Sequence, residues 1–161
     1  MSVPDKVYLS TPSDTSTSAL GVTGEIREHI HATYGKQYYR VVKNTSGSSI
    51  AANLAVVFVT SGTSGSSIEV ALSGAAAPSA TVAGITQNAI ANNSYGWVVC
   101  GGDCLATSAA AVDVSTLATA MTAASGELDD TAISTKEHCI IGVFLADKAS
   151  GGTVRTRISG L

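Results

Sequence analysis

Nearly half of this chain consists of small, uncharged side chains, and this feature limits what the chain can fold into. Ala, Ser, Thr and Gly together occupy 79 of the 161 positions, whereas Phe, Trp and Tyr make up only 5 %. Small side chains bury little area each, so they favour turns, tight sheet packing and close contact between subunits over a thick aromatic core. A chain of this length is expected to form one domain, or one domain with an arm.

Charged residues are also sparse, which restricts the classes of partner. They make up 13 % of the chain, against about 25 % in an ordinary soluble domain. The formal net charge is −3 and the densest basic stretch is Arg155 with Arg157, whereas phosphate binding needs several basic side chains on one surface. The longest apolar run, 140–146, is much shorter than a membrane span, and the first residues contain no apolar signal segment. We therefore expect synthesis in a cytoplasm, with neither nucleic acid nor a membrane as partner.

Short apolar segments bounded by Gly, Ser and Asn recur along the chain and predict β-strands. The continuously apolar run 56–59 predicts a strand buried on both faces, and 68–72 and 81–86 predict further short strands. Residues 153–159 alternate between apolar and polar side chains, which predicts a strand with one apolar and one basic face. Strands at intervals of 8–15 residues indicate an all-β fold, either an antiparallel β-sandwich or a barrel.

Two segments are compatible with either a helix or a strand. Segment 26–32 fits either structure, although the β-branched and aromatic residues that follow at 38–42 favour a strand. Segment 113–126 is the best helix candidate but also fits a strand with a turn; its apolar side chains at helical spacing are Leu117, Ala120, Met121 and Ala124. The fold prediction therefore allows at most one short helix.

The N-terminal residues differ from the rest of the chain. Ser10–Ser18 contain no large apolar side chain, and such a segment cannot offset its own ordering entropy. We therefore predict an extended polar arm over 1–24 and a β-rich domain over 25–161. The arm is either a floppy terminus or a segment that becomes ordered against a neighbouring subunit.

One short repeat is visible in the sequence. The segment that begins at Ile50 matches the segment that begins at Ile90 in five of 13 positions, an offset of 40 residues. Because the composition is biased, the match indicates at most a reused unit of a loop followed by a strand, and not a repeat protein.

Catalytic and metal-binding motifs were sought and are absent from the sequence, including the nucleophile elbow, the P-loop and the zinc-protease helix motif. Asp103 follows two glycines and Asp129 lies in a Gly- and Glu-containing segment, so both are interpreted as solvated turn carboxylates. No nucleophile is placed beside a base, and we expect no enzyme activity.

The sequence also contains residue types that could bind a metal ion. His29 and His31 would share one face of a strand, and soft ligands could come from Cys100, Cys104, His138 and Cys139. Their spacing is not that of a tetrahedral zinc site, so we interpret the cysteines as buried thiols and expect neither metal nor cofactor.

Six residues are candidates for a contact surface because aromatic and arginine side chains concentrate binding energy. They are Tyr38, Tyr39, Tyr95, Trp97, Arg155 and Arg157. For Trp97, the only tryptophan, the alternative role is to anchor a core that is poor in aromatic residues. For the two arginines, the alternatives are a solvated strand face and pairing with acidic groups of a partner.

The order of these segments resembles a known class of phage proteins. The segment NAIANNSYGWVVCGG is followed by an Ala-, Ser- and Thr-rich stretch and then by IIGVFLADKASGGTVRTRISGL. This succession is similar to the small β-rich structural proteins of tailed bacteriophages, and most of all to the head decoration, or cement, proteins.

The resemblance implies a structural function without catalytic activity. It implies a virion protein that binds the outer surface of a capsid, has the major capsid protein as its partner, and braces the shell as a homo-oligomer, a dimer or a trimer. The alternative is a tail or fibre protein that contacts the host surface, and a metal-dependent hydrolase is a third hypothesis.

Overall fold

The computed structural model describes residues 11–21, 25–59, 68–72, 82–120, 126–129 and 140–159. None of these residues is helical, and among them there is no helix that could cross a membrane. The described strands are β1 (Ile26–His31), β2 (Gly35–Asn44), β3 (Ala55–Phe58), β4 (Glu69–Leu72), β5 (Val82–Thr86), β6 (Tyr95–Ser108), β7 (Leu117–Ala120), β8 (Leu128–Asp129), β9 (Ile140–Phe144) and β10 (Gly152–Ile158).

The strands close into two rings that share β6. In the first ring the order is β2-β4-β3-β5-β6, and β6 pairs back with β2; in the second it is β6-β8-β7-β9-β10, and β10 pairs back with β6. Strand β6 has 14 residues, which is long enough to serve both rings. The predicted all-β fold of sandwich or barrel type is confirmed. In each ring one short pairing, β2–β4 or β6–β8, is parallel, and the others are antiparallel.

The two rings repeat each other in the irregularities of their sheets. The pairing of β3 with β5 shifts register between Val56 and Val57, and the pairing of β7 with β9 shifts between Ala118 and Thr119. Gly84 lies at the first irregularity, opposite Val56, and Gly142 lies at the second, opposite Ala118. The same bulge is thus built at the same place in each ring.

The turns that lead into the strands repeat in the same way. In the first ring Ile50 forms a β-bridge with Ile90, and in the second Val112 forms one with Lys148. The turns before β3 and β7 each contain one non-glycine residue at positive φ; these are Asn53 at 64° and Ser115 at 66°. The rings therefore have the same topology, the same bulge and the same turn geometry.

The buried side chains form two clusters. The smaller cluster takes one residue from each strand of the first ring together with the two bridged isoleucines; its members are Val42, Ile50, Val56, Val70, Ala83, Ile90 and Val98. The larger cluster takes buried residues from both rings, including Trp97 on β6 and Phe144 on β9. The rings thus share a core as well as a strand.

Both segments whose sequence fits either a helix or a strand contain strands. Residues 26–31 form β1, and residues 117–120 form β7, which pairs with β8 and β9. The helix interpretation of 113–126 is wrong for 117–120, because pairing on both sides supplies backbone partners that a helix would have found within itself. Residues 121–125, including Met121, lie outside the described residues.

Residues 11–21 of the predicted arm lie against their own chain. Ser16 and Tyr95 exchange backbone hydrogen bonds of 3.1 and 2.7 Å, and Leu20 packs against the larger core cluster. Asn88 Nδ2 donates to the carbonyl oxygen of Pro12 at 3.4 Å. Residues 1–10 and 22–24 lie outside the described residues, and the domain boundary at residue 24 stays a prediction.

Candidate binding surface

Asp103 on β6 forms the centre of an ion-paired cluster with two arginines of the neighbouring strand β10. Its carboxylate accepts from Arg157 Nε at 2.7 Å and from Arg155 Nη2 at 2.7 Å. The Asp103 side chain is 7 % exposed, whereas those of Arg155 and Arg157 are 43 % and 60 % exposed. The cluster therefore places a buried negative charge beneath two exposed guanidinium groups.

The interpretation of Asp103 as a solvated turn carboxylate is wrong. Asp103 lies within β6, and the preceding glycine serves a close approach between strands instead of a turn. Gly102 has a φ of 96°, and a Cβ there would clash with the carbonyl oxygen of Lys36 on β2. The glycine immediately before Asp103 thus marks a close contact of two backbones.

Tyr34 extends this surface toward the turn between β1 and β2. Its ring stacks on His31 with a centroid distance of 4.5 Å, and the guanidinium carbon of Arg155 lies 5.6 Å from the same ring. His31 Nδ1 accepts from the backbone N–H groups of Thr33 and Tyr34 at 3.0 and 3.3 Å, which fixes the turn. The tyrosine is thereby held between an imidazole and an arginine. We call the side chains of His31, Tyr34, Asp103, Arg155 and Arg157 the arginine face.

A groove of about 500 Å³ adjoins the arginine face. Its walls are polar and aromatic side chains, and the arm segment 11–13 closes one side of it. The other residues lining it are His29, His31, Tyr34, Tyr39, Asn53, Gln87, Asn88 and Leu105.

Buried hydrogen bonds connect the core to the arginine face. Tyr39 Oη donates to Gln37 Oε1 at 2.9 Å, and Gln37 Nε2 donates to the carbonyl oxygen of Asp103. Burial raises the pKa of Tyr39 from its ordinary value of 10.0 to about 12, because the buried site disfavours the phenolate. This network holds the part of β6 that carries Asp103 against β2.

The six candidate contact residues separate into exposed and buried side chains. Arg155, Arg157 and Tyr38 are exposed, and Tyr38 is 40 % exposed. Tyr95 is half-buried, and Trp97 and Tyr39 are 2 % and 3 % exposed. Burial supports the alternative role of Trp97 as a core anchor, and its ring lies 4.9 Å from the guanidinium carbon of Arg27. A contact role for the six residues stays a prediction.

The structure also places the residues that were considered as metal ligands. His29 and His31 lie on the same face of β1, with ring centroids 6.4 Å apart. Burial raises the pKa of both the Cys100 and the Cys104 thiol, that of Cys104 to about 12, which disfavours the thiolate that binds metals. Over the described ranges, no three His, Cys, Asp or Glu residues come together as metal ligands. His138 and Cys139 lie outside those ranges.

Sequence reasoning missed the acidic partner of the two arginines. The alternation along β10 predicted an exposed basic face, but the carboxylate that neutralises it comes from β6, more than 50 residues away. The signal was the Gly-Gly pair before Asp103, which was interpreted as a turn.

The ion pairs of Asp103 lead to a pH prediction. The hydrogen bond from Arg157, followed by that from Arg155, holds the pKa of the Asp103 carboxyl below its ordinary value of 3.8. Because the folded-state pKa is lower than the unfolded one, the stability that this group contributes is present above about pH 4 and is lost as the pH falls through the folded value. We expect the Asp103→Asn variant to lose about 1–2 kcal/mol of unfolding free energy at pH 6 and less at pH 3. Urea denaturation at both pH values measures this difference, and an equal loss at both would contradict the assignment.

Comparison with known proteins finds a likeness at the level of the fold. No protein-family model matches this sequence, and no curated protein sequence matches it. The fold is similar to that of the head fibre gp8.5 N base of bacteriophage phi29, with a TM-score of 0.53 and 12 % sequence identity. The likeness covers 76 % of this chain and 96 % of that chain. At this identity, the comparison shows that the two chains share a fold.

Proposed function

We propose that the protein is a non-enzymatic structural component of a tailed-phage virion that binds the outer surface of the capsid and stabilises it. The observation that carries this proposal is the fold shared with the base of a phage head fibre, which extends over 96 % of that chain. A base of this kind belongs to the head, and the major capsid protein is the corresponding partner of this chain.

The composition and the exposed surface support the proposal. Small side chains with few charges suit many short contacts with a regular lattice. Each contact is weak, but several together on neighbouring capsomers give a high occupancy through effective concentration. The arginine face supplies polar contacts, since Arg155 and Arg157 keep about half of their side chains accessible while Asp103 balances part of their charge.

Addition of the purified protein to shells that have been stripped of it tests the proposal. We expect the protein to pellet with the shells and to raise their melting temperature. Because charges are sparse, binding should weaken only modestly, by about threefold or less, between 0.05 and 0.5 M salt. Failure to pellet with the shells would overturn the proposal. A steep loss of shell binding with rising salt would contradict the expectation that the contact is mainly uncharged.

A pair of variants locates the contact on the surface. Arg157→Ala leaves Asp103 paired with Arg155 and should weaken shell binding about tenfold if the arginine face is the contact. Lys148→Ala removes a positive charge from the turn before β10 and serves as the matched control. Equal binding by the two variants would exclude the arginine face as the contact.

A second candidate is the base of a fibre that reaches the host surface. The likeness to the N base of a head fibre favours it. Gold-labelled antibodies on intact virions distinguish the candidates. Label over the head with no projecting fibre supports decoration, and label at the root of a fibre or at the tail supports the second candidate.

A further inference from the structure

Strand β1 lies outside both rings and carries two of the four exposed large hydrophobic residues of the described ranges. Within the described ranges it pairs with β2 alone. The exposed large hydrophobic residues of those ranges are Ile26, Ile30, Tyr38 and Val114, and the first three lie on the outer face of the β1–β2 hairpin. Ile26 is 49 % exposed and Ile30 is 65 % exposed. The chain thus adds to its closed rings an edge strand that is apolar on its outer face.

The outer edge of β1 has backbone groups that no described strand uses. The N–H of Val41 donates to the carbonyl of Glu25, so the odd-numbered residues of β1 are those that hydrogen-bond to β2. The N–H and C=O groups of Ile26, Glu28 and Ile30 therefore point away from β2. An edge of this kind is a template for another strand unless charges, bulges or proline block it. The six residues of β1, IREHIH, contain no proline, their pairing with β2 has no bulge, and both of their charged side chains are ion-paired within the chain.

We propose that β1 pairs in antiparallel fashion with β1 of a second copy of this chain, around a two-fold axis at Glu28. In this register Ile26 lies opposite Ile30 of the second copy, and Ile30 lies opposite its Ile26. The same residues carry the outward backbone groups, so hydrogen bonds and apolar contacts form in a single register. This agreement between backbone and side chains argues for a second copy as the occupant.

The charges on the outer face are compatible with this pairing. Glu28 lies opposite Glu28 of the second copy, which would be repulsive for isolated carboxylates. Each Glu28 is ion-paired with Lys36 of its own β2, with 2.8 Å between Glu28 Oε2 and Lys36 Nζ. Two glutamates and two lysines then form a neutral group at the axis.

The expected dimer is weak. Six residues from each chain form a contact well below the 20–30 residues per side of a stable interface, so we expect a dissociation constant in the micromolar range. Only the purified chain is involved, and the inference does not rest on capsid binding.

Sedimentation velocity over a concentration series tests the pairing. We expect a monomer–dimer equilibrium for the natural chain and a dissociation constant raised roughly a hundredfold by Ile30→Lys, since the substitution acts on both sides of the axis. Val114→Lys is the control, because Val114 is also an exposed hydrophobic residue, at 48 %, but lies outside β1. It should leave the equilibrium unchanged. Thermal unfolding of each variant verifies that it is folded.

A cysteine at the axis tests the register. Hydrogen-bonded antiparallel pairs have Cα atoms about 5.5 Å apart, which a disulfide can bridge. In a Cys139→Ser background, where the two other cysteines are buried, Glu28→Cys should form a covalent dimer on oxidation. Val114→Cys, which is exposed outside β1, should form much less. A monomer at all concentrations, a trimer, a dimer that Ile30→Lys does not weaken, or equal cross-linking of the two cysteine variants would overturn the proposal.

Discussion

Replacement of Gly142 by alanine should leave little folded protein. A Cβ at this position on β9 would overlap the carbonyl oxygen of Arg157 on β10. The obstacle is backbone within a sheet, so it can move aside only if the pairing of β9 with β10 is broken. Gly84 on β5 has the same position in the first ring, and a Cβ there would overlap the carbonyl oxygen of Val99 on β6. We expect each substitution to cost more than about 4 kcal/mol, a large part of the stability of a domain of this size.

The control for these substitutions is a glycine whose added Cβ would meet no neighbour. Gly47 has a φ of 87°, and a Cβ there would meet nothing within 4 Å. Gly47→Ala should lower the free energy of unfolding by about 1 kcal/mol, because only the positive φ opposes the substitution. Urea denaturation and the yield of soluble protein measure the three variants. Stability of Gly142→Ala or Gly84→Ala within 1 kcal/mol of the natural chain would contradict the close backbone approach.

Trp97→Ala should destabilise the fold by about 3–5 kcal/mol and so resemble a core truncation. Trp97 is 2 % exposed and belongs to the cluster that joins the two rings. Its Nε1 has no hydrogen-bond acceptor among the described residues, so Trp97→Phe removes an unpaired polar group along with some volume. The phenylalanine variant should therefore lose clearly less, about 1–2 kcal/mol.

Tyr38→Ala is the matched control, because Tyr38 was an equal candidate for the contact surface and is 40 % exposed. It should change the free energy of unfolding by less than about 0.5 kcal/mol. Chemical denaturation followed by circular dichroism is suitable, since the tryptophan signal is lost in the variants. A small effect of Trp97→Ala together with loss of shell binding would contradict the core assignment and return Trp97 to the surface.

Strand positions could be predicted from the sequence because burial on one or two faces leaves a periodic pattern. The buried run at Ala55–Phe58 and the alternation along Gly152–Ile158 both appear in the structure as predicted. The segment at Leu117–Ala120 gave an ambiguous pattern, because small side chains spaced for a helix also fit a strand. Its structure is decided by backbone pairing with β8 and β9, which a sequence pattern does not encode.

The duplicated ring could not be predicted, since its equivalent positions share geometry and few residue types. Asn53 and Ser115 occupy the same turn position with almost the same φ, yet they differ chemically. The visible offset of 40 residues has another origin. Ile50 and Ile90, which begin the matching segments, lie in one ring and form a bridge with each other. The sequence match therefore reflects two similar turns that lie next to each other. The repeat of the two rings is a repeat of backbone hydrogen bonding and not of sequence.

The candidate surface was predicted in part. The exposed arginines followed from alternation along one strand, but Asp103 did not, because strand neighbours distant in sequence are fixed by the closure of the second ring. The apolar outer face of β1 was also missed. Segment 26–32 is compatible with a strand, but the isoleucines at its alternate positions would ordinarily be expected to face a core.

Strand β6 gives the molecule a mechanical property that side-chain packing alone would not give. One uninterrupted stretch of main chain, Tyr95–Ser108, is a wall of both rings. Tension that enters one ring is passed to the other through covalent bonds, and the two cannot swing about a flexible joint. The proposed capsid-binding protein would thus meet a swelling shell as one connected unit.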